Sequence, residues 1–168
     1  MTVKYKTLFF VRSSLISLYL ALTIPIPFIA SEKSVLLSIT LFLLGLLMIV
    51  NITSDYVEIC DKKITYKTSF FAELFGKKTW EIFLKDIVSI KAFPTSQGSN
   101  VYYFITNENK NFLIPQRIEN FEEFLSKISK KTNLNLEGIS YISPLWTYKL
   151  LTFLSFVMIT GELFSFLN

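Results

Sequence analysis

The stretch Val35-Leu-Leu-Ser-Ile-Thr-Leu-Phe-Leu-Leu-Gly-Leu-Leu-Met-Ile-Val50 decides the class of this protein. It carries no charge, and it lies within an uncharged run of 21 residues from Ser34 to Ser54. At ~1.5 Å per helical residue, such a run crosses a ~30 Å hydrocarbon core. A second run, from Ser13 to Ser31, holds 19 uncharged residues, and the polar tetrapeptide Ser31-Glu-Lys-Ser34 joins the two. Residues 1–53 are therefore expected to be a tail and a transmembrane helical hairpin, with spans at about 8–30 and 34–53. Arg12 can snorkel to the headgroups, and Pro25 and Pro27 end or kink the first span. The alternative is a cleaved leader opened by Lys4, Lys6 and Arg12. Its cut would fall near Phe28-Ile29-Ala30, where bulky Phe28 stands in place of a small residue, so the hairpin is the expectation.

Composition agrees. Of 168 residues 51% are apolar and only 18% charged, against about a quarter charged in soluble domains, and mean hydropathy is +0.45. Near the other end, Trp146 to Leu167 is mostly apolar, interrupted by the charges of Lys149 and Glu162, with 12 uncharged residues from Leu150 to Gly161. With those charges at the interfaces, residues 144–168 form a third span; the alternative is a helix lying on the membrane. Residues 1–12 carry +3, whereas residues 54–143 carry only +1. The positive-inside rule then puts the N-terminus on the cytoplasmic side, and a hairpin returns the middle domain there too. In an organelle that side is the stromal or matrix side.

Between Ser54 and Ser143 the texture becomes alternating and turn-punctuated, as in strands. Six strands are expected: Tyr56–Cys60, Ile64–Thr68, Lys77–Ile82, Ile87–Phe93, Val101–Thr106 and Phe112–Ile114, forming one antiparallel meander. The connection from Phe70 to Gly76 has no assigned form. A helix follows, with Asn120 as N-cap and Glu123 as its capping-box partner. Phe121, Phe124, Leu125 and Ile128 make its apolar stripe, and Lys127, Lys130 and Lys131 complement its C-terminal dipole.

A meander followed by one amphipathic helix resembles the pleckstrin-homology superfold, whose bacterial version is commonly attached to a transmembrane hairpin. The residues that carry the resemblance are Tyr56 to Tyr66, Ile82 to Ile90, Val101 to Thr106, Phe112 to Pro115 and Asn120 to Leu125. It implies a bent antiparallel sheet closed by the helix and says little about function. A possible third span after the domain departs from many of those relatives. Phe83-Leu-Lys-Asp-Ile-Val-Ser-Ile-Lys91, behind two N-terminal spans, is also distantly similar to a segment of the photosystem I assembly factor of plastids and cyanobacteria. The C-terminal apolar segment does not fit that family. The fold class expected is thus an α+β membrane protein: hairpin, a pleckstrin-homology-like domain over 54–143, and a C-terminal span over 144–168.

Chemistry is constrained by what is missing. The chain has no histidine and one cysteine, Cys60, so a Cys/His zinc site, an intramolecular disulfide and a histidine base are excluded within it. Its five glycines are never closer than 22 residues, which rules out a standard phosphate loop. The carboxylates Asp55, Glu58, Asp61, Glu73, Glu81 and Asp86 show no spacing that general acid/base work requires, and a structural role is expected for them. No catalytic residue, metal or cofactor is assigned, and the charge surplus is too small for a nucleic-acid partner.

Two candidate surfaces remain. Lys62-Lys63 and Lys77-Lys78 could lie near one rim of the sheet and contact anionic headgroups; ordinary solubility charge is the alternative. Thr152, Ser155 and Glu162 fall along one stripe of the C-terminal helix and suit packing against the hairpin or a partner's helix. The function expected is non-enzymatic: a multi-pass membrane protein presenting a cytoplasmic-side domain to a protein, or to anionic membrane lipid. The alternative is an assembly or stability factor for a larger membrane complex, including a photosynthetic one as the second resemblance implies.

Overall fold

The computed structural model describes residues 2–167. Strand β1 (Val3–Lys6) is followed by three helices, α1 (Phe9–Thr23), α2 (Pro25–Ile29) and α3 (Val35–Ile52). Next come β2 (Tyr56–Ile59), β3 (Lys63–Lys67), the short helix α4 (Phe70–Leu74) and β4 (Trp80–Phe83). A 3-10 turn at Leu84–Asp86 leads into β5 (Ile87–Pro94), β6 (Asn100–Thr106), β7 (Asn111–Leu113), α5 (Phe121–Thr132) and α6 (Leu145–Leu167). These elements form two compact units. One contains the residues up to Leu8 together with Ser54–Pro144; the other contains Phe9–Thr53 and the chain from Leu145 onward.

The first unit is α+β, with two antiparallel sheets ordered β1-β2-β3-β4 and β5-β6-β7. All six expected strands are present, but they do not form one meander. The 3-10 turn at Leu84–Asp86 separates β4 from β5, so the ladder ends at one and restarts at the other. The seventh strand lies in what reads as a charged tail. Val3-Lys-Tyr-Lys6 pairs with β2, Val3 opposite Ile59 and Lys6 opposite Tyr56, and turns Tyr5 into the core. The whole helical hairpin is thus inserted between two paired strands. Past β1, the Leu8 amide donates to Arg117 O (2.8 Å) and the Glu119 amide to Lys6 O (2.9 Å), which ties this edge to the chain leaving β7.

The core follows from alternation. Val57, Ile59, Ile64, Ile82 and Phe104 point inward from their strands and meet Phe121, Phe124, Leu125 and Ile128 of α5. Phe124 is fully buried, and its ring meets Tyr5 edge-on at 5.5 Å. The capping box is not formed. Asn120 stands at the N-cap in the left-handed conformation (φ 51°), and its side chain makes no cap hydrogen bond among the described residues. Glu123 instead accepts from Lys127 Nζ (2.5 Å) and the Tyr5 hydroxyl (3.3 Å), since a charged donor outcompetes a distant amide.

The second unit contains three helical stretches long and apolar enough to cross a membrane: Phe9–Ile29, Val35–Ile52 and Leu145–Phe166. Pro25 and Pro27 break the first into α1 and α2 rather than ending it. Helix α6 runs parallel to α1: Lys149 Nζ sits 5.0 Å from the Phe10 ring at one end, and Phe28 stacks on Phe166 at the other. Helix α3 meets α1 where Tyr19 donates to the Phe42 carbonyl (2.7 Å), its ring passing over Gly45. None of the described residues of α3 is fully buried, and Leu36, Leu37, Leu41, Leu43, Leu44 and Leu47 are exposed.

Candidate aromatic groove at the seam between two sheets

Strands β4 and β7 are each the last strand of their sheet, and aromatic side chains meet across the seam between them. Cross-strand pairing sets Tyr66 of β3 opposite Trp80 of β4, and their rings stack at 5.7 Å. Trp80 then tilts against Phe112 of β7 at 5.5 Å. A groove of about 550 Å³ opens there, its apolar wall continued by Tyr103, Leu113 and Pro115. Lys77, Lys78, Thr79 and Asn111 supply its polar rim.

The rim is held by a carboxylate that spacing alone reads as one of several scattered acids. Asp55 is 7% exposed. Its Oδ2 accepts from the Tyr66 hydroxyl (2.7 Å) and from Lys77 Nζ (2.6 Å). Its Oδ1 accepts from the Thr68 hydroxyl (2.9 Å) and, at 3.4 Å, from the Ser69 amide. Burial pushes the Tyr66 hydroxyl above its usual range, and donation to the Asp55 carboxylate pushes it further. Tyr66 and Thr68 sit two residues apart on one strand, a same-face relationship that alternation implies. That their common partner is Asp55 is set by tertiary structure.

The two lysine pairs do not share a rim. Lys63 lies opposite Phe83, whereas Lys77-Lys78 precede Trp80, so the pairs occupy opposite ends of the β3–β4 ladder. Lys63 is paired with Glu81 (2.9 Å), which lowers the Glu81 carboxyl and raises the lysine by mutual hydrogen bonding. Lys62 is exposed beside it. Lys78 is exposed and has no ion pair among the described residues. Three more of the carboxylates are engaged as structural charges, Glu58 with Lys67, Glu73 with the Thr79 hydroxyl and Asp61 with Lys131, and Asp86 closes the 3-10 turn.

In the helical unit, Ser155 is buried, as are Ser14, Ser17 and Ala21 of α1, the helix that α6 follows. Small side chains at such positions allow close helix approach. The hydroxyls are used within the helix, however. Thr152 donates to Tyr148 O and Ser155 to Leu151 O, both at 2.8 Å, so neither hydroxyl donates across to another helix. Glu162 is half-buried, and its enclosed Oε2 has no hydrogen-bond partner among the described residues.

No family model matches this sequence. The chain is similar to the uncharacterized protein slr0269 of Synechocystis sp. (strain ATCC 27184 / PCC 6803 / Kazusa), at 27% identity over 159 residues. The similarity covers 91% of this chain and 80% of the relative, so it extends across both units.

Proposed function

We propose that this is a non-enzymatic, multi-pass membrane protein that holds a pleckstrin-homology-like domain at the cytoplasmic or stromal face, where it binds an extended segment of a protein partner. The observation that carries the reading is the Trp80–Phe112 seam: two sheet-terminal strands flank an aromatic groove of about 550 Å³. Terminal strands offer main-chain groups to an added strand, and apolar pockets beside them select alternate side chains. The four-plus-three strand arrangement, followed by the apolar stripe of α5, supports the fold likeness, with the helical hairpin as an insertion after the first strand.

Strand pairing also supports the topology. The hydrogen bonding of β1 to β2 keeps the two ends of the hairpin together, as suits a hairpin that crosses and returns. Lys4 and Lys6 add two positive charges to the +1 of residues 54–143, in keeping with a cytoplasmic-side unit.

A photo-crosslinking residue at Leu113, in the full chain in its own membrane, tests the binding reading. A discrete protein adduct that disappears with Trp80→Ala is expected. Subunits of a large membrane complex among the adducts would make the protein an assembly factor working through the same groove. Labelling that is diffuse, or indifferent to Trp80→Ala, would remove the groove as a binding site.

A further inference from the structure

We propose that α4 and the lysine pair behind it, which also edges the groove, form a membrane-interface anchor that dips into the headgroup region of a bilayer containing anionic lipid. The sequence is Ser69-Phe-Phe-Ala-Glu-Leu-Phe-Gly-Lys-Lys78. The Ser69 side chain caps the helix by accepting from the Ala72 amide. Ala72 is fully buried and fixes the inward face. That leaves Phe70, Leu74 and Phe75 outward, 74%, 72% and 64% exposed. Among the described residues they are the three most exposed large apolar side chains of the first unit. Phe70 and Leu74 are one helical turn apart, on one side. Gly76, at φ +87°, ends the helix and hands the chain to exposed Lys77 and Lys78.

Three large apolar groups left in water on five helical residues and their cap call for an occupant. Two features make a bilayer that occupant. The first is charge: an apolar wedge followed at once by Lys77, held by Asp55, and by exposed Lys78, which has no ion pair among the described residues, matches the layering of an anionic interface, acyl chains below and phosphates above. Glu73, the acid on this helix, is engaged with the Thr79 hydroxyl (2.8 Å). The second is reach. Asp55 follows the end of α3 by three residues, at most about 11 Å of extended chain. The Asp55 carboxylate holds the Thr68 hydroxyl and the Ser69 amide, the residues that open α4. The wedge is therefore moored to a residue that cannot leave the membrane surface if α3 spans. This inference rests on the spanning role of the hairpin and not on a ligand in the groove: none of Phe70, Leu74 or Phe75 lines it, and only Lys77 and Lys78 are shared with its rim.

The test uses the full chain in lipid nanodiscs, with Cys60→Ser removing the native thiol and an environment-sensitive fluorophore on Leu74→Cys. In discs containing phosphatidylglycerol, the label should be blue-shifted and quenched by lipids carrying a nitroxide near the headgroup, as expected for insertion of roughly 5–10 Å. A label on Asn109→Cys, in an exposed turn, should be quenched instead by aqueous iodide. Lys78→Glu, or phosphatidylcholine discs, should weaken the lipid quenching, and Trp80→Ala should leave it unchanged. A label on Phe75→Cys, which follows the helix, provides a second reading should Leu74→Cys fail to fold. Iodide quenching equal to that at Asn109 would overturn the proposal. So would shielding without nitroxide quenching, which would mean that a protein, including a second copy, covers the patch. Indifference to Lys78→Glu and to lipid charge would overturn it as well.

Discussion

Thr7 donates both its amide (3.1 Å) and its hydroxyl (2.8 Å) to the main-chain carbonyl of Asp55. The residue one short of entering the hairpin region is thereby fastened to one that has just left it. The Asp55 side chain meanwhile gathers Tyr66, Thr68, Ser69 and Lys77. Asp55→Ala should therefore cost more than a surface carboxylate, about 2–3 kcal/mol, a range that allows for the solvent around the half-exposed Lys77. Thr7→Val should cost about 1 kcal/mol. Thermal unfolding of the full chain in detergent measures both, and equal, negligible shifts would mean that the network is not holding the rim.

The Tyr66 hydroxyl titrates above its ordinary pKa in the folded protein because it is buried and donates to a carboxylate. Its neutral form is thus favoured by folding. That contribution is complete below about pH 10 and is lost as pH rises through the folded-state value. Tyr66→Phe should lower stability near neutrality by about 1 kcal/mol and flatten the alkaline decline. An unchanged alkaline slope in Tyr66→Phe would count against this assignment.

Phe124 fills the centre of the first unit, beneath Tyr5. Phe124→Ala should cost about 3–5 kcal/mol, whereas Lys130→Ala, on the exposed side of the same helix, should leave the midpoint within error. Lys127 is a poorer control than its place in the basic trio implies, since it bridges to Glu123 beside the Tyr5 ring. Equal effects at 124 and 130 would show that α5 does not close the core.

A β-carbon at Gly45 would run into the Tyr19 ring. Gly45→Ala should displace Tyr19 from the Phe42 carbonyl and loosen the α1–α3 contact, while Tyr19→Ala in the same chain should relieve the clash. The hydrogen bond itself is worth about 0.6 kcal/mol in lipid, so most of the loss should be steric. Proteolytic sensitivity of the hairpin in detergent, read across the four chains of the cycle, measures the coupling; simple additivity would deny the contact.

If the hairpin crosses the membrane twice, a thiol at Asn109 and one at Glu32 must lie on opposite sides. In a Cys60→Ser background, an impermeant maleimide should label Glu32→Cys in intact cells and reach Asn109→Cys only after permeabilisation. The reverse pattern would invert the proposed orientation, and equal labelling would remove the hairpin.

The elements visible in the sequence are those whose signals are local. Alternation located six strands, and the Phe121–Ile128 stripe located α5, because burying one face of each element writes its period into the chain. Strand β1 escaped that reading: Val3-Lys-Tyr-Lys6 is four residues long, half of them charged, and its partner lies some fifty positions later. Helix α4 escaped it as a five-residue element without room for a period. The groove and the Asp55 network were illegible for a different reason. Trp80 and Phe112, like Asp55 and Lys77, become neighbours only through the order of strands in two sheets. Conversely, the sequence overstated two local motifs. The Asn120–Glu123 box has its two residues in place but Glu123 engaged elsewhere, and the two lysine pairs look alike but sit at opposite ends of a ladder.

The pairing of β1 with β2 also dictates an order of events during synthesis. Strand β1 emerges first, yet its partner is not made until both apolar helices have followed, a delay of ~3–10 s at the usual rates of translation. Through that interval Val3 to Lys6 has no sheet to join, and the hairpin is the segment free to mature. If α1 and α3 insert as a hairpin, their insertion brings Thr7 back to Asp55 and delivers the first strand to the second. Most of the loop-closure entropy that a fifty-residue separation imposes on a free chain would then be met by hairpin formation in the bilayer. On that reading the first unit is timed by the second: a lesion that stalls hairpin insertion should reach the quality-control machinery as an unfolded first unit, with every residue of its core intact.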